Sequence, residues 1–575
     1  MPTKEERSTS QSDASGFRHS TPLATISAPA ALEREDLSVV AASASSAHQN
    51  ISETTSASDF GSASLNVMAR MDGVELLDRS SQLPRPSAPS RPALVPAETV
   101  PINIPSAHPP TSISPIRNTL STTEKMDDLA DAFLSGPSRR ADQGLEPVIQ
   151  PEPLPTDISE LEKLRLLVTR RAWETVVVVG MQLLRDSKSI QHAPIYSALL
   201  NNPAQALPSL ESQQAEVVEI MSLCCHGWWK SRQREALCQE LDRWSFGHHV
   251  GGHAPSWIPW SLHIWGAISL QFVSEDGSDG DPEQIAIDAL WAIRTKIRLN
   301  AEKDASLGSQ SASLLQVEHV LSNIFVQRQE WRMAVACLER MMEALDGLVA
   351  NEVETLVEKG QRSVAALVLK YAYQSEILSR QGRILLQAGA VSEAAQIFQQ
   401  ASDVWNALDD TAKEGVLSKH VATRHVPCQL LSNEGLVCFA YGKYDEALEF
   451  FRQATERMRA NQCTVPEYSR DDWVGFVLVS NETYEGLYSQ VLNNLALCAL
   501  YTSRLQKAIQ VMESLIREDP TRYLTERVAM NLCTLYELGA DTAVAARQKR
   551  TLQIIAKRFL LQDIGPECFR SNTSG

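Results

Sequence analysis

Two adjacent thiols, Cys224 and Cys225, precede Cys238 and a loop bearing His248, His249 and His253, and these residue types are the ones that could bind a metal. Cys225, Cys238 and two of the histidines would complete a four-ligand zinc set. The short Cys-x-x-Cys spacing that prebuilds half of such a site is absent, so the pattern reads as helical cysteines followed by a polar turn. Cys337, Cys438, Cys498 and Cys533 stand among apolar neighbours, where a thiol behaves as a small hydrophobe. The acid pairs Asp409-Asp410 and Asp471-Asp472 read as solvated helix ends rather than an acid–base couple. Gly251-Gly252 follows no strand, and neither a G-x-S-x-G elbow nor an H-E-x-x-H helix occurs. The run Glu275–Asp281 lacks the ligand register and closing Glu of a calcium loop. The sequence therefore predicts no catalytic residue, no metal and no cofactor.

The elements that would carry any other activity are unevenly distributed. Residues 1–150 hold 25 Ser and 15 Pro and no Trp, Tyr or Cys. Without aromatic anchors such a stretch cannot offset its ordering entropy, and residues 1–155 read as a disordered arm in which Ser114-Pro115 is a candidate phosphorylation site. Within it Met126, Leu129, Ala130, Phe133 and Leu134 fall on one face of a short helix at 126–134, predicting a linear docking helix for a partner's groove. The net charge of −17 gives no uniform positive field for nucleic acid. The basic run Arg547–Arg550 and the pair Lys557-Arg558 read as the solvated face of a terminal helix. No apolar run is long enough to span a bilayer and no signal-type segment opens the chain, so a cytoplasmic location with reduced cysteines is expected, and Asn481 and Asn572 are not expected to be glycosylated.

Beyond Thr156 the apolar spacing is helical throughout, and the fold class is all-α. Four segments share a 34-residue frame. From Ser489, Leu492, Leu495, Ala496, Leu505, Ala508, Met512 and Pro520 occupy positions 4, 7, 8, 17, 20, 24 and 32. From Cys428, Leu431, Gly435, Gly442, Tyr444, Ala447, Phe451 and Ala454 occupy 4, 8, 15, 17, 20, 24 and 27; from Ser375, Leu378, Gly382, Gly389, Val391, Ala394, Phe398 and Ala401 do the same. A weaker copy from Leu315 carries Leu321, Ser322, Trp331, Ala334 and Leu338. This is the tetratricopeptide pattern: small residues at 8 and 20 admit close helix approach, a turn follows near 15, and a large apolar residue at 24 fills the gap. The expected organisation is an arm (1–155), divergent helical pairs (156–310, with Ala236 as the small contact of the second), repeats with insertions (311–520) and capping helices (521–561), forming an α-solenoid.

In such an array first-helix positions 2, 5, 9 and 12–13 face away from the packing positions. They predict a partner groove of Ser379, Arg383 and Leu386, then Ser432, Leu436 and Phe439, then Asn493, Leu497 and Tyr501. Apolar and amide groups in this mixture suit a helix or an extended peptide. Three functions stay open on this evidence: a scaffold, a free-standing peptide adaptor or co-chaperone, and a signalling protein governed by its arm.

The chain resembles the trafficking protein particle (TRAPP) complex subunit 12 family. The resemblance is carried by Val491-Leu-Asn-Asn-Leu-Ala-Leu-Cys-Ala-Leu-Tyr501, Glu518-Asp-Pro520, Arg522-Tyr-Leu524 and Asn531-Leu-Cys-Thr-Leu-Tyr-Glu-Leu538. It extends more weakly through Gly442–Ala447 and Ile258-Pro-Trp260 to Arg171-Ala-Trp173, whereas His248–His253 departs from the tyrosine-rich stretch expected there. The resemblance implies a non-catalytic subunit of a multisubunit tether peripheral to early secretory membranes. That assembly promotes nucleotide exchange on a Rab GTPase in traffic from endoplasmic reticulum to Golgi and in autophagy. It implies other subunits of the complex as direct partners, the GTPase as an indirect one, and the exchange site on chains other than this one.

Overall fold

The computed structural model describes residues 124–185, 195–197, 211–244, 259–272, 281–303, 307–356, 362–409, 421–460 and 484–569. Ser114-Pro115, the Met126 side chain, His248, His249, His253, most of the acidic loop before Asp281, Asp410, Asp471-Asp472, Asn481 and Asn572 lie outside the described residues.

Helices α1 (Glu124–Leu134) and the short α2 (Arg139–Asp142) precede the array. The array then runs through α3 (Glu160–Thr169), α4 (Trp173–Arg185), α5 (Glu211–Lys230), α6 (Arg234–Arg243), α7 (Trp260–Ser269) and α8 (Pro282–Lys303). It continues as α9 (Leu307–Gln327), α10 (Trp331–Leu356), α11 (Arg362–Gln387), α12 (Val391–Asn406), α13 (Val421–Ala440) and α14 (Tyr444–Ala460). It closes with α15 (Tyr484–Tyr501), α16 (Leu505–Glu518), the single turn α17 (Pro520–Tyr523), α18 (Glu526–Gly539) and α19 (Thr542–Arg558). From α3 onward successive long helices pack on one another, and α11 and α13 also touch directly, as do α13 and α15. No strand occurs among the described residues. The fold is an α-solenoid of packed helical pairs.

Helix starts follow local chemistry. Ser159 and Glu162 form a capping box, with Ser159 N donating to Glu162 Oε2 at 3.0 Å and Glu162 N donating to Ser159 Oγ at 3.2 Å. The Ser159 N–H and the Ser159 hydroxyl both donate to Glu162 Oε2 at 3.0 Å and hold the exposed Glu162 carboxyl below its usual range. At α8, Asp281 Oδ1 accepts from Glu283 N at 3.1 Å beside Pro282.

One turn recurs between paired helices. Position 15 of every repeat is left-handed: Gln329 (φ 62°), Gly389 (φ 81°), Gly442 (φ 75°) and Ser503 (φ 59°). Each turn is closed by the same two backbone bonds, such as Gly442 N to Phe439 O at 3.0 Å and Lys443 N to Cys438 O at 2.9 Å. Arg171 (φ 57°), between α3 and α4, and Arg232 (φ 62°), between α5 and α6, make the same turn, so the first pairs share the hairpin geometry of the repeats. A non-glycine residue at positive φ carries a steric cost of about 1 kcal/mol. Gln329→Gly should therefore raise stability by about 0.5–1 kcal/mol in urea titration, while Gly442→Val should lower it by more.

The small positions work as close contacts. A Cβ at Gly382 would lie 2.4 Å from the Phe398 ring, and one at Gly435 would lie 2.7 Å from the Phe451 ring. Position 8 thus receives the position-24 ring of its own pair. Ala394, Ala447 and Ala508 at position 20 have no exposed surface. In the weaker copy Ser322 Oγ donates to the Ala334 carbonyl at 3.2 Å, so position 8 meets position 20 there directly. Among the first pairs the close contacts are Gly180 against Cys224 and Gly227 against Val177, both between α4 and α5; the expected Ala236 is only half-buried. A glycine on each of two helices can admit the partner more closely than an alanine can, and that decides the contact.

Two apolar clusters result, one running from α3 to Val426 at the start of α13, the other joining α1 to the end of α11 and the helices beyond, as far as Cys568. His226 sits in the first, between Trp173 (5.3 Å between centroids) and Trp265 (6.0 Å). Desolvation there, reinforced by Lys230, lowers its pKa to about 3, and desolvation lowers His263 to about 4. Below pH ~6.5 the unfolded chain binds these protons first, so stability should fall by up to about 1.4 kcal/mol per pH unit for each histidine. The loss should continue down to the folded pKa values. Thermal melts from pH 7 to pH 4 should show a shallower decline for His226→Phe than for the native chain.

The ends of the described chain meet through charge. Arg171 pairs bidentately with Asp563 (2.7 and 2.8 Å) and donates to the carbonyls of Leu524 (2.9 Å) and Thr521 (3.1 Å). Arg232 pairs with Glu526 at 2.7 Å and also with Glu567, while Glu174 and Gln562 exchange hydrogen bonds. The left-handed turns of the first two pairs thus present arginines to the last helices, and this accounts for arginine where glycine would be less strained.

Candidate partner-binding face

The first helices of the pairs, α9, α11, α13, α15 and α18, carry a polar spine along one side of the array. Arg380 donates to His319 Nδ1 at 3.0 Å and Asn323 Oδ1 at 2.8 Å, joining α11 to α9. Asn433 Nδ2 donates to Ser379 Oγ at 2.8 Å and accepts from Gln429, joining α13 to α11. Asn531 Nδ2 donates to Asn493 Oδ1 at 2.7 Å, joining α18 to α15.

The spine opens into a cleft with about 490 Å³ of unfilled space, part of it facing solvent. Arg383, Leu386, Ser432, Leu436 and Asn493 line it, five of the nine residues that repeat spacing placed on a groove. Gln387, Gln429, Gln490, Asn494 and Arg527 complete the walls. Arg527 lies one helix beyond the last repeat, in the stretch read as a cap, which is why spacing did not reach it. The signal for Asn494 was the doublet with Asn493. Asn493 Nδ2 and Asn494 Oδ1 are buried without a hydrogen-bond partner among the described residues. Such groups cost about 1–3 kcal/mol each, so the cleft keeps one donor and one acceptor at a price in stability. A donor beside an acceptor is the complement of a peptide unit.

The other four groove positions need correction. Ser379 has no exposed surface and donates to the Ser375 carbonyl at 2.7 Å beneath the cleft. Leu497 is buried in the second cluster. Phe439 and Tyr501 belong to an aromatic set with Tyr444, whose ring stacks on Tyr501 at 4.8 Å. Both fall at the ends of their helices, where the Tyr444 ring packs against them.

The docking helix is corrected as well. It forms as α1, but it seats on α19 and α16 of its own chain, with Ala130 and Leu134 fully buried, Leu129 half-buried and Phe133 packed under the Arg517 guanidinium. The 124–155 stretch is likewise held: Arg558 binds the Ile149 carbonyl at 3.3 Å and Arg170 binds that of Glu152. The terminal basic residues are not all solvated, because Lys549 is buried against Glu537 and Arg558 against Asp131.

Most of the described cysteines are buried. None of the nine described cysteines is in a disulfide, and burial pushes the thiols of Cys337, Cys498 and Cys533 up to about 12. Cys225 is fully buried and Cys238 donates to the Ser269 carbonyl at 3.5 Å. Among the described residues Glu526, Glu567 and Cys568 converge, and Arg232 supplies the positive charge between the two carboxylates. No helix among the described residues is long and apolar enough to cross a membrane.

The fold is an α-solenoid of packed helical pairs with a polar cleft on its first helices. Comparison with known proteins adds a particular likeness. The chain is 26% identical to mouse trafficking protein particle complex subunit 12 over 319 residues, 54% of this chain and 32% of that protein. It is 26% identical to the human protein of the same name over 309 residues, 53% of this chain and 34% of that protein. The chain thus spans about a third of the length of the curated relatives it matches. No protein-family model matches it.

Proposed function

We propose that this chain is a non-catalytic scaffold subunit of a TRAPP-type tethering complex acting in transport from endoplasmic reticulum to Golgi and in autophagy. Its helical pairs are tetratricopeptide-type repeats, and it meets early secretory membranes only through the complex. The Rab GTPase is engaged by the complex, with the exchange site on other subunits. The observation that carries this reading is the similarity to subunit 12 across about half of the chain. The repeated left-handed turn and the glycine–phenylalanine contacts support the repeat assignment. The cleft at Arg383, Asn493 and Asn494 is the docking surface for a neighbouring subunit.

The unpartnered Asn493 Nδ2 and Asn494 Oδ1 also favour a second reading, a free-standing receptor for extended peptides. Size-exclusion chromatography of native cell extract separates the two. A complex subunit elutes with an assembly far larger than the 63.5 kDa chain, whereas elution of the chain at its own mass would refute the first reading.

A further inference from the structure

The end of the array that holds α1 is built as a helix-binding site. Arg517 and Arg558 are set into the array with side chains only 12% and 10% exposed. Arg517 donates to the Phe133 carbonyl at 2.7 Å, placing a cation at the negative end of the α1 dipole, and stacks on the Phe133 ring with 4.6 Å to its centroid. Arg558 binds Asp131 and lies 3.3 Å from Asp127, two carboxylates one helical turn apart. Ala130 and Leu134 fill the apolar floor between the two arginines.

The asymmetry of this contact matters. The arginines are nearly buried, whereas Asp127 and Asp131 remain 67% and 48% exposed. The seat belongs to the array, on α16 and α19. The occupant is an eleven-residue helix, too short to be stable alone, and its ion pairs are screened by water. Recognition rests on a simple pattern: Asp at i and i+4, alanine at i+3, then Phe-Leu at i+6 and i+7.

We infer that this seat is an acceptor for an acidic amphipathic helix of that pattern supplied by a partner protein, and that α1 occupies it in cis. The tether gives α1 a high effective concentration, so an incoming helix binds only when α1 is displaced or weakened.

The test uses the full chain and a fluorescein-labelled peptide of residues 120–138, read by fluorescence anisotropy. Asp127→Lys with Asp131→Lys in the chain loosens α1 at exposed positions and leaves the array folded, which an unchanged circular dichroism spectrum verifies. This chain should bind the peptide at least about tenfold more tightly than the native chain. Arg558→Glu in the otherwise native chain also loosens α1 by setting a carboxylate against Asp127 and Asp131; that chain should leave the native peptide unbound and bind a peptide carrying both lysines instead. Equal binding by native and loosened chains, no binding to the loosened chain, or indifference of the lysine peptide to Arg558→Glu would each overturn the inference.

Discussion

Ala447→Arg should unfold the pair α13–α14 under conditions in which the native chain is intact. Ala447 has no exposed surface at the contact between these helices, and its homologue by position, Ala508, is equally buried between α15 and α16. A guanidinium there must either displace the packed neighbours or lie in an apolar site without a counter-charge. The expected loss is about 4 kcal/mol or more. Because each pair depends chiefly on its neighbours, urea titration followed by circular dichroism should show an early unfolding step in place of a single transition. Gln400→Arg, on the exposed side of α12, should change stability by no more than about 0.5 kcal/mol. Equal effects of the two substitutions would contradict the helical register.

The second large effect is expected at the junction of the chain ends. Arg171→Glu removes a bidentate ion pair and two carbonyl partners and sets a like charge against Asp563. Breaking a nearly buried pair in this way costs about 3–5 kcal/mol. The cost should fall on the junction rather than on either apolar cluster, since the contacts there are polar. Spin labels on α3 and α19 should therefore report a longer and broader distance in the variant, with helix content retained. Asp563→Arg added to Arg171→Glu should recover only part of the loss, because the Thr521 and Leu524 carbonyls regain no donor. An unchanged distance in Arg171→Glu would show that the ends are held by something else.

The helical pairs were legible in the sequence because each packing position demands a residue type. A phenylalanine ring at position 24 excludes even a Cβ at Gly382 and Gly435, and a left-handed turn favours Gly389 and Gly442. The junction was not legible, since Arg171 and Asp563 are 392 residues apart and an arginine in a turn carries no mark of its partner. The 124–155 stretch was misread for a related reason. Composition tests whether a segment can build its own core, whereas Ala130 and Leu134 enter a core that α16 and α19 have already built. In the cleft, helical spacing located Arg383, Ser432 and Asn493 but counted Phe439, Leu497 and Tyr501 with them. Spacing assigns a face of one helix and does not see which neighbour covers it.

The similarity to subunit 12 gains physical content from this arrangement. The sequence stretches that carry the resemblance include Asn493, Asn494 and Asn531, which stand on the spine or on the cleft wall. Affinity purification of the tagged full chain from its own cells, with mass spectrometry of the co-purifying proteins, is the most direct test of the proposed role. Recovery of the small core exchange subunits of a TRAPP-type complex in near-equal amounts is predicted. A partner set dominated by chaperones, or recovery of the chain alone, would contradict it.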